Sequence, residues 1–490
     1  MTATPLIRET GVHLRPDPSR VVIRFFLPGR EDVGPGESRA AGVIGRVLGV
    51  ADGDVDAAMR DVEIRFADRH PDLHEVFLRH AALVDSRLDH DVPLSDARTL
   101  FLGASFTHEY AIEGASLCNP SAVLHPVQRP GGAAFVLSVR GIGEGHRSSI
   151  GFRSGFVTDD GVVSIDAPGP FPHQAPEVPG IHHRSVFHSK LAGMDDDREN
   201  AAYVLDQLTE TFDTPELEAC IADLSANGAS RLHTRTTIEH LRQLCKASYG
   251  VRFDETRELS ERVLWPRAPQ ERVGMEDARF VHFTRPDGTT TYYGTYTAFD
   301  GANISQQLLE TDDFAAFTMS PMGGSAAGGK GFALFPRMID GRFAALSRSD
   351  RETNAIAFSD DIHCWEESEP IQLPEAEWEV LQLGNCGSPI ETEKGWIVLT
   401  HGVGAMRTYS IGAILLDLED PRKMIGRTDR PLITPDPEDR DGYVPNVVYS
   451  CGGFLHGDTL VVPYAIADHR ISIVTLSAEA LLASMTATSR

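Results

Sequence analysis

One short pattern recurs five times along the chain and limits what it can fold into. A turn containing glycine is followed by a strand rich in aromatic or β-branched residues, and the strand ends on a polar or charged residue. The copies are 130-PGGAAFVLSVR-140, 287-DGTTTYYGTYTAFD-300, 340-DGRFAALSR-348, 394-KGWIVLTH-401 and 457-GDTLVVPYAIAD-468. The last four begin at 287, 340, 394 and 457, a spacing of roughly 50 to 65 residues. Asp-Gly, Lys-Gly and Gly-Asp are hairpin turn signals. Hairpins repeated at that spacing predict the blades of a β-propeller, and five copies predict five blades. Equivalent strand ends of a propeller meet around one axis. Arg140, Asp300, Arg348, His401 and Asp468 are therefore expected to converge on a central pocket. The alternative is a β-sandwich with unrelated strand ends.

Two stretches depart from this β texture. Residues 1–116 form an N-terminal region expected to be helical, most clearly over 38–95, where Val55, Met59, Val62 and Phe66 recur at helical spacing and Pro71 breaks the run. Residues 117–485 carry the propeller, interrupted by a helical insertion at about 196–262. Within it, Thr214 reads as an N-cap, Pro215 as the first helical residue and Gly228 as the stop. Ile238, Leu241 and Cys245 continue the helical spacing.

Composition excludes several classes. No apolar run approaches the ~20 residues that a membrane helix needs. The start, MTATPLIRETGVHLRPDPSR, lacks the basic region and apolar stretch of a secretory signal. The cysteines Cys118, Cys220, Cys245, Cys364, Cys386 and Cys451 show no C-x-x-C pair and read as reduced thiols of a cytoplasmic protein. A net charge of −26 argues against nucleic acid as a partner, because phosphates need a basic footprint. Basic residues gathered in so acidic a chain would mark a local anion site. No G-x-G-x-x-G unit, P-loop, H-E-x-x-H or G-x-S-x-G occurs, which disfavours a nucleotide-fold enzyme, a zinc protease and a serine hydrolase.

The chemistry-bearing residues fall beside the repeated strands. Lys330, Arg337, Arg348, Arg351, His401 and Arg407 lie at turns and strand ends of the third and fourth copies. Arg and Lys donate charge-assisted hydrogen bonds to phosphate or carboxylate oxygens. Any one of them alone reads as a surface salt bridge, but the repeat puts Lys330, Arg348 and His401 on one face. In 274-GMEDARF-280 two carboxylates and a guanidinium crowd the start of a strand. Strand alternation sends Glu276 and Asp277 opposite ways, so one faces the pocket while the other braces Arg279 or the backbone. Asp277 suits a general acid if burial and neighbours keep it protonated. Asn119, Asn385, Asn446 and Asp468 are candidates for binding sugar hydroxyls, and Arg140 and Glu276 are further candidates for contacting substrate.

GMEDARF resembles the G-x-E-D-P-R signature of glycoside hydrolase family 130, the β-mannoside phosphorylases and related β-mannosidases. The resemblance extends through 333-ALFPRMIDGRFAALSR-348, 387-GSPIETEKGWIVLTHGV-403, 411-IGAILLDLEDP-421, 444-VPNVVYSCG-452 and 463-PYAIAD-468. It implies a five-bladed β-propeller. It also implies Asp277 as the acid, acting on the leaving oxygen through a sugar hydroxyl. Phosphate would be bound by Lys330, Arg348 and His401, with Arg407 or Arg351 in support, and Asp468 would contact substrate. Ala278 replaces the proline of the signature, and Gln382 stands where many phosphorylases carry a lysine. The helical segments lie outside the minimal family domain and are candidates for shaping the acceptor site or a homo-oligomer interface.

The expectation is therefore an inverting phosphorylase of β-mannosidic disaccharides or oligosaccharides, yielding α-mannose 1-phosphate. Inorganic phosphate is a co-substrate, and no metal or organic cofactor is implied. An inverting hydrolase is the alternative, with Glu352, Glu391 or Asp441 as base. A sugar transferase and a carbohydrate-binding propeller without activity are the remaining readings.

Overall fold

The computed structural model describes residues 6–28, 39–85, 88, 94–192, 198–227 and 234–488. The chain is mainly β with helices, and it divides into two compact units. One comprises residues 17–112 and 169–173; the other comprises 1–16, 113–168 and 174–490.

The smaller unit holds the helices Arg39–Gly49, Asp52–Phe66, Leu73–Val84 and Asp96–Ser105, with a two-stranded ladder of Val21–Phe25 and Thr107–Ala111. The expected spacing is realised in Asp52–Phe66, where Val55 and Met59 are buried, and Pro71 falls in the break before Leu73. Part of the expected 38–95 stretch, residues 38, 86–87 and 89–93, lies outside the described residues. Arg98 ties the unit together by donating to carbonyls at the end of the first helix, those of Val47 at 2.8 Å and Val50 at 2.7 Å.

In the larger unit each of the five copies supplies one strand: Gly132–Ile142, Thr290–Phe299, Phe343–Ser347, Gly395–Val403 and Thr459–Ile466. Each lies inside an antiparallel run, flanked on both sides by neighbours close in sequence. Farther along the sheets some pairs are distant in sequence, among them Ile7–Leu14 with Arg470–Ser477, which brings the two ends of the chain into one sheet. The first two copies share an 11-stranded sheet, in which the parallel pairing of Gly274 with Ser148 joins their two runs. Among the described residues no sheet closes on itself.

The insertion contains the helices Arg198–Leu205, Thr214–Asn227 and Thr234–Cys245, preceded by Arg184–Ala192. They enclose their own core of Phe187, Leu205, Leu217, Ile221 and Leu241. Asp213, rather than Thr214, caps the second of these. Its carboxylate accepts from the Glu216 N–H at 2.9 Å while Glu216 accepts from the Asp213 N–H at 2.9 Å, a reciprocal capping box. Thr214 instead hydrogen-bonds His182 at 2.9 Å. Gly228, the expected stop, lies outside the described residues.

One buried ion pair sits between the strands. Arg153 is 3% exposed and donates from Nη2 to both oxygens of Glu113, which is 2% exposed, at 2.7 and 2.9 Å. Removing one partner strands the other charge out of water, a loss of about 3–5 kcal/mol. Arg153→Met should lower the denaturant midpoint accordingly, and adding Glu113→Leu should restore part of the loss. A midpoint unchanged by the single substitution contradicts this.

Candidate active site

The site begins with an irregularity in the strand Gly274–Thr284. Its register against Thr290–Phe299 runs from Gly274↔Phe299 to Glu276↔Thr297, then resumes at Arg279↔Thr295. Asp277 and Ala278 together oppose one residue, so the strand bulges. Asp277 takes the left-handed conformation, φ 54°. The bulge cancels the alternation expected from sequence. Glu276 and Asp277 do not point opposite ways; both approach Arg140. Its Nη2 donates to Glu276 Oε1 at 2.6 Å, and its Nη1 lies 3.7 Å from Asp277 Oδ1.

The same backbone device recurs at other candidates. Asn119 sits in a bulge with φ 46°, and Asn446, Asp468 and Arg407 have φ of 63°, 44° and 56°. Residues other than glycine seldom adopt this conformation, which costs on the order of 1–3 kcal/mol each, and such strain gathers at functional sites. Asn and Asp tolerate it best, which suits four of these five positions.

Cations surround the two carboxylates. Lys330 Nζ donates to Glu276 Oε2 at 2.6 Å, so Glu276 bridges Lys330 and Arg140. Arg279 donates from Nη2 to the Tyr449 hydroxyl at 2.8 Å and from Nη1 to the Asp277 carbonyl at 3.5 Å. Arg348 is held by backbone carbonyls, Nε to Leu383 at 2.8 Å and Nη2 to Arg351 at 2.6 Å. A Cβ on Gly384 would stand 2.6 Å from both Arg348 Cδ and His401 Cε1, so only glycine lets both side chains cross that strand.

Burial raises the Asp277 carboxyl, but Lys330, Arg140, Arg279 and Arg348 outweigh it and hold the group below the ordinary carboxylate range. The expectation of a protonated Asp277 therefore fails for the free protein, where the group is ionised. His401 is also corrected. Burial first, then Arg348 and Arg279, push it well below its usual value, so the ring is neutral and supplies no charge. It packs against Tyr449 at 4.9 Å between centroids, with Nδ1 3.2 Å from the Asn385 carbonyl.

Asp468 behaves oppositely to Asp277. Burial pushes it up to about 6; Arg140 opposes this, while Asp277 and Glu276 reinforce it. Its Oδ1 is buried without a hydrogen-bond partner, and its carbonyl accepts from the Ser116 hydroxyl. A carboxyl with a raised folded pKa favours the fold below its unfolded value near 4 and penalises it as pH rises through about 6. Asp468→Asn keeps the left-handed backbone and should stabilise the protein by up to about 3 kcal/mol at pH 8, with no gain at pH 3.5. Unfolding curves at the two pH values check this; equal effects at both would show that desolvation is not the cause.

Other expected residues are placed differently. Asp300 does not join the cluster; its carboxylate accepts from the N–H groups of Ala302 and Asn303, both at 2.7 Å, and closes its own turn. Asn385 is fully buried, with Nδ2 donating to the Gly331 carbonyl at 2.7 Å and Oδ1 accepting from the Gly387 N–H at 3.2 Å. Both ends of its side chain hold loops, so it is not a free handle for sugar. Asn119 Oδ1 accepts from Arg140 at 3.4 Å and from Cys118 at 3.1 Å. Arg407 is exposed, over the ring of Tyr409 at 5.7 Å. Arg337 makes a bidentate pair with Glu391, at 2.8 and 2.9 Å, which occupies one of the three carboxylates that could serve a hydrolase as base. Gln382 donates to the Tyr409 hydroxyl at 3.2 Å. Tyr449, which anchors Arg279, carries no sequence signal of its own beyond its place inside 444-VPNVVYSCG-452.

A family model described as beta-1,4-mannooligosaccharide phosphorylase matches residues 233–487. A 1,2-beta-oligomannan phosphorylase of Thermoanaerobacter sp. (strain X514) is 35% identical over 229 residues, covering 44% of this chain and 73% of the relative. A beta-1,2-mannobiose phosphorylase of Listeria innocua is 29% identical over 279 residues, covering 55% and 74%. The match of the family model over more than half of the chain, centred on the stretch that holds Asp277, Lys330, Arg348 and His401, shows that the chain belongs to glycoside hydrolase family 130.

Proposed function

We propose that the chain is a β-mannoside phosphorylase. It cleaves a β-mannosidic disaccharide or oligosaccharide with inorganic phosphate and inverts the anomeric centre to give α-mannose 1-phosphate. The observation that carries this reading is the Asp277 carboxylate, held below its ordinary range by Lys330, Arg140, Arg279 and Arg348, beside a Glu276 already bridged by two cations. Phosphate is already an anionic nucleophile, so the reaction needs one acid and a cationic pocket. A hydrolase would need a second carboxylate free to activate water, at about 6.5–9.5 Å from the acid.

The steps follow from these residues. Lys330 and Arg348, with the exposed Arg407 in support, bind the anionic oxygens of phosphate, and the neutral His401, whose Nδ1 faces the Asn385 carbonyl, accepts at Nε2 from the hydroxyl of the phosphate. A phosphate oxygen attacks C1 of the mannosyl unit from the face opposite the leaving group. As the C1–O bond breaks, the leaving oxygen takes a proton that originates on Asp277 and passes through a sugar hydroxyl. Asp277 must therefore gain a proton after the free state. A bound phosphate dianion supplies the reason, because its charge offsets the cations that hold Asp277 ionised and raises the carboxyl's pKa. Glu276 and Arg279 fix the bulge and its cations, while Asn119, Arg140, Asn446 and Asp468 contact sugar.

The five antiparallel runs, each built on one copy of the repeat, support a five-bladed propeller around this cluster. No helix among the described residues is long and apolar enough to cross a membrane, and the six cysteines are free thiols, in keeping with a cytoplasmic enzyme. The named relatives act on β-1,2-linked mannosides, so that linkage is the first to test. Incubation with β-1,2-mannobiose, with and without phosphate, should give α-mannose 1-phosphate by NMR only when phosphate is present. Free mannose released equally in both would overturn the reading.

A further inference from the structure

Arg147, Pro266, Arg267, Pro269, Arg272 and Asp300 line a cavity of about 470 Å³ that shares no residue with the cluster around Asp277. Three of its residues are arginines and one is an aspartate, in a chain whose net charge is −26. Such a chain has carboxylates in excess, yet Arg267 and Arg272 are poorly matched with them. The Asp300 carboxylate is spent on its own turn, accepting from the Ala302 and Asn303 N–H groups at 2.7 Å. Arg272 reaches the carbonyl of Asp300 instead, from Nε at 3.2 Å and Nη2 at 2.8 Å. Arg267 donates from Nη2 to the Ala175 carbonyl, and its Nη1 meets a carboxylate only loosely, 3.6 Å from Glu177. Arg147 lies over the Trp265 ring at 5.8 Å.

Guanidinium stays charged at any physiological pH and matches the oxygens of phosphate in pairs. Arginines gathered around one cavity, two of them only loosely met by carboxylates of the chain, fit an anion supplied from outside. The cavity is open-sided, so its volume sets an upper bound on the ligand's size. A cavity of this order accepts a whole small molecule, at the lower end of the about 300–1,000 Å³ found for such sites, and a bare phosphate would leave much of it empty. Pro266 and Pro269 offer apolar ring faces to the remainder of such a ligand.

We propose that this cavity is a second site, separate from the catalytic one, that binds a phosphorylated small molecule of about monosaccharide size. It neighbours the chemistry without entering it. Arg272 precedes the strand of Asp277, and Ser148, next to Arg147, donates from its N–H to the Val273 carbonyl at 3.2 Å and from its hydroxyl to the Met275 carbonyl at 3.0 Å. The proposal does not depend on the phosphorylase reading.

Calorimetric titration of the full chain tests it, using the Arg348→Ala protein so that the catalytic anion locus is weakened and the two sites separate in affinity. The probes are α-mannose 1-phosphate, glucose 6-phosphate and glucose. One equivalent of phosphate ester should bind, and Arg272→Gln or Arg267→Gln, each added separately, should weaken it about tenfold or more, as expected for loss of a charged hydrogen bond. Neutral glucose should not bind. Preference for α-mannose 1-phosphate would mark the site as a reader of the proposed product; equal affinity for glucose 6-phosphate would mark a general phosphate-ester site. Melting curves identify any variant that fails to fold, and either arginine suffices for the test. Unchanged affinity in a folded variant, equal binding of glucose, or no ester binding to the Arg348→Ala protein when wild type binds it would overturn the proposal.

Discussion

Asp277→Asn should reduce phosphorolysis by about 10²–10⁴-fold, the range that a positioned general acid contributes. The loss should fall on kcat, with the KM for mannoside little changed. Asparagine tolerates the left-handed backbone that Asp277 adopts at φ 54°, so the bulge and the register beyond it should survive. The substitution also removes a negative charge from among four cations, and phosphate binding should hold or tighten. Initial rates of sugar 1-phosphate release check this, and a variant with wild-type kcat would remove Asp277 from the reaction. Stability carries a second signature. A carboxyl whose folded pKa is depressed stabilises the fold above its unfolded pKa, and that contribution is lost as pH falls through the folded value. Asp277→Asn should therefore cost stability at neutral pH, where Asp468→Asn should add it.

Arg348→Ala is expected to raise the KM for phosphate by about 10-fold to 150-fold, the equivalent of a charge-assisted hydrogen bond of about 1.5–3 kcal/mol. The KM for mannoside should move far less, because the guanidinium is held at Leu383 and Arg351, on the strand and loop away from Asp277's own backbone. The same cation depresses Asp277 and His401, so its loss should raise both pKa values. The alkaline limb of kcat/KM for the variant, measured at low phosphate, should shift to higher pH than in wild type. In wild type the limb of kcat at saturating phosphate should likewise lie above that of kcat/KM, if the bound anion is what protonates Asp277. Kinetics in phosphate titrations at several pH values separate these effects. A mannoside KM that rises as much as the phosphate KM would assign Arg348 to the sugar instead.

The hydrolase reading loses ground on particular residues. Glu391 is committed to Arg337, while Glu352 and Asp441 are exposed. Glu276 is bridged by Arg140 and Lys330. Asp468, beside this cluster, has one oxygen buried without a partner, but burial favours its neutral form.

Much of this is legible in the amino-acid sequence. The five strands follow from local signals, glycine turns and β-branched runs, which act within a few residues and survive in the one-dimensional pattern. The helix Asp52–Phe66 follows from spacing alone. The gathering of Arg140, Arg348 and Asp468 around Asp277 is readable because each of the three ends a repeated strand, and repetition converts sequence position into spatial position; Asp277 itself is found through the resemblance of GMEDARF to a family signature. Asp300 shows the limit of that argument, since a turn closed by its own carboxylate satisfies the residue locally and keeps it out.

What only the tertiary structure decided is protonation and direction. Strand alternation placed Glu276 and Asp277 on opposite faces, and a bulge invisible in the sequence turned both towards Arg140. Asp277 is ionised and Asp468 is raised because four cations reach the first and burial dominates the second. His401 is neutral because its ring is buried and two arginines from other segments lie close to it. Residue identity sets which groups can titrate; the sign of each shift is set by distances between segments far apart in the chain, and those exist only once it has folded.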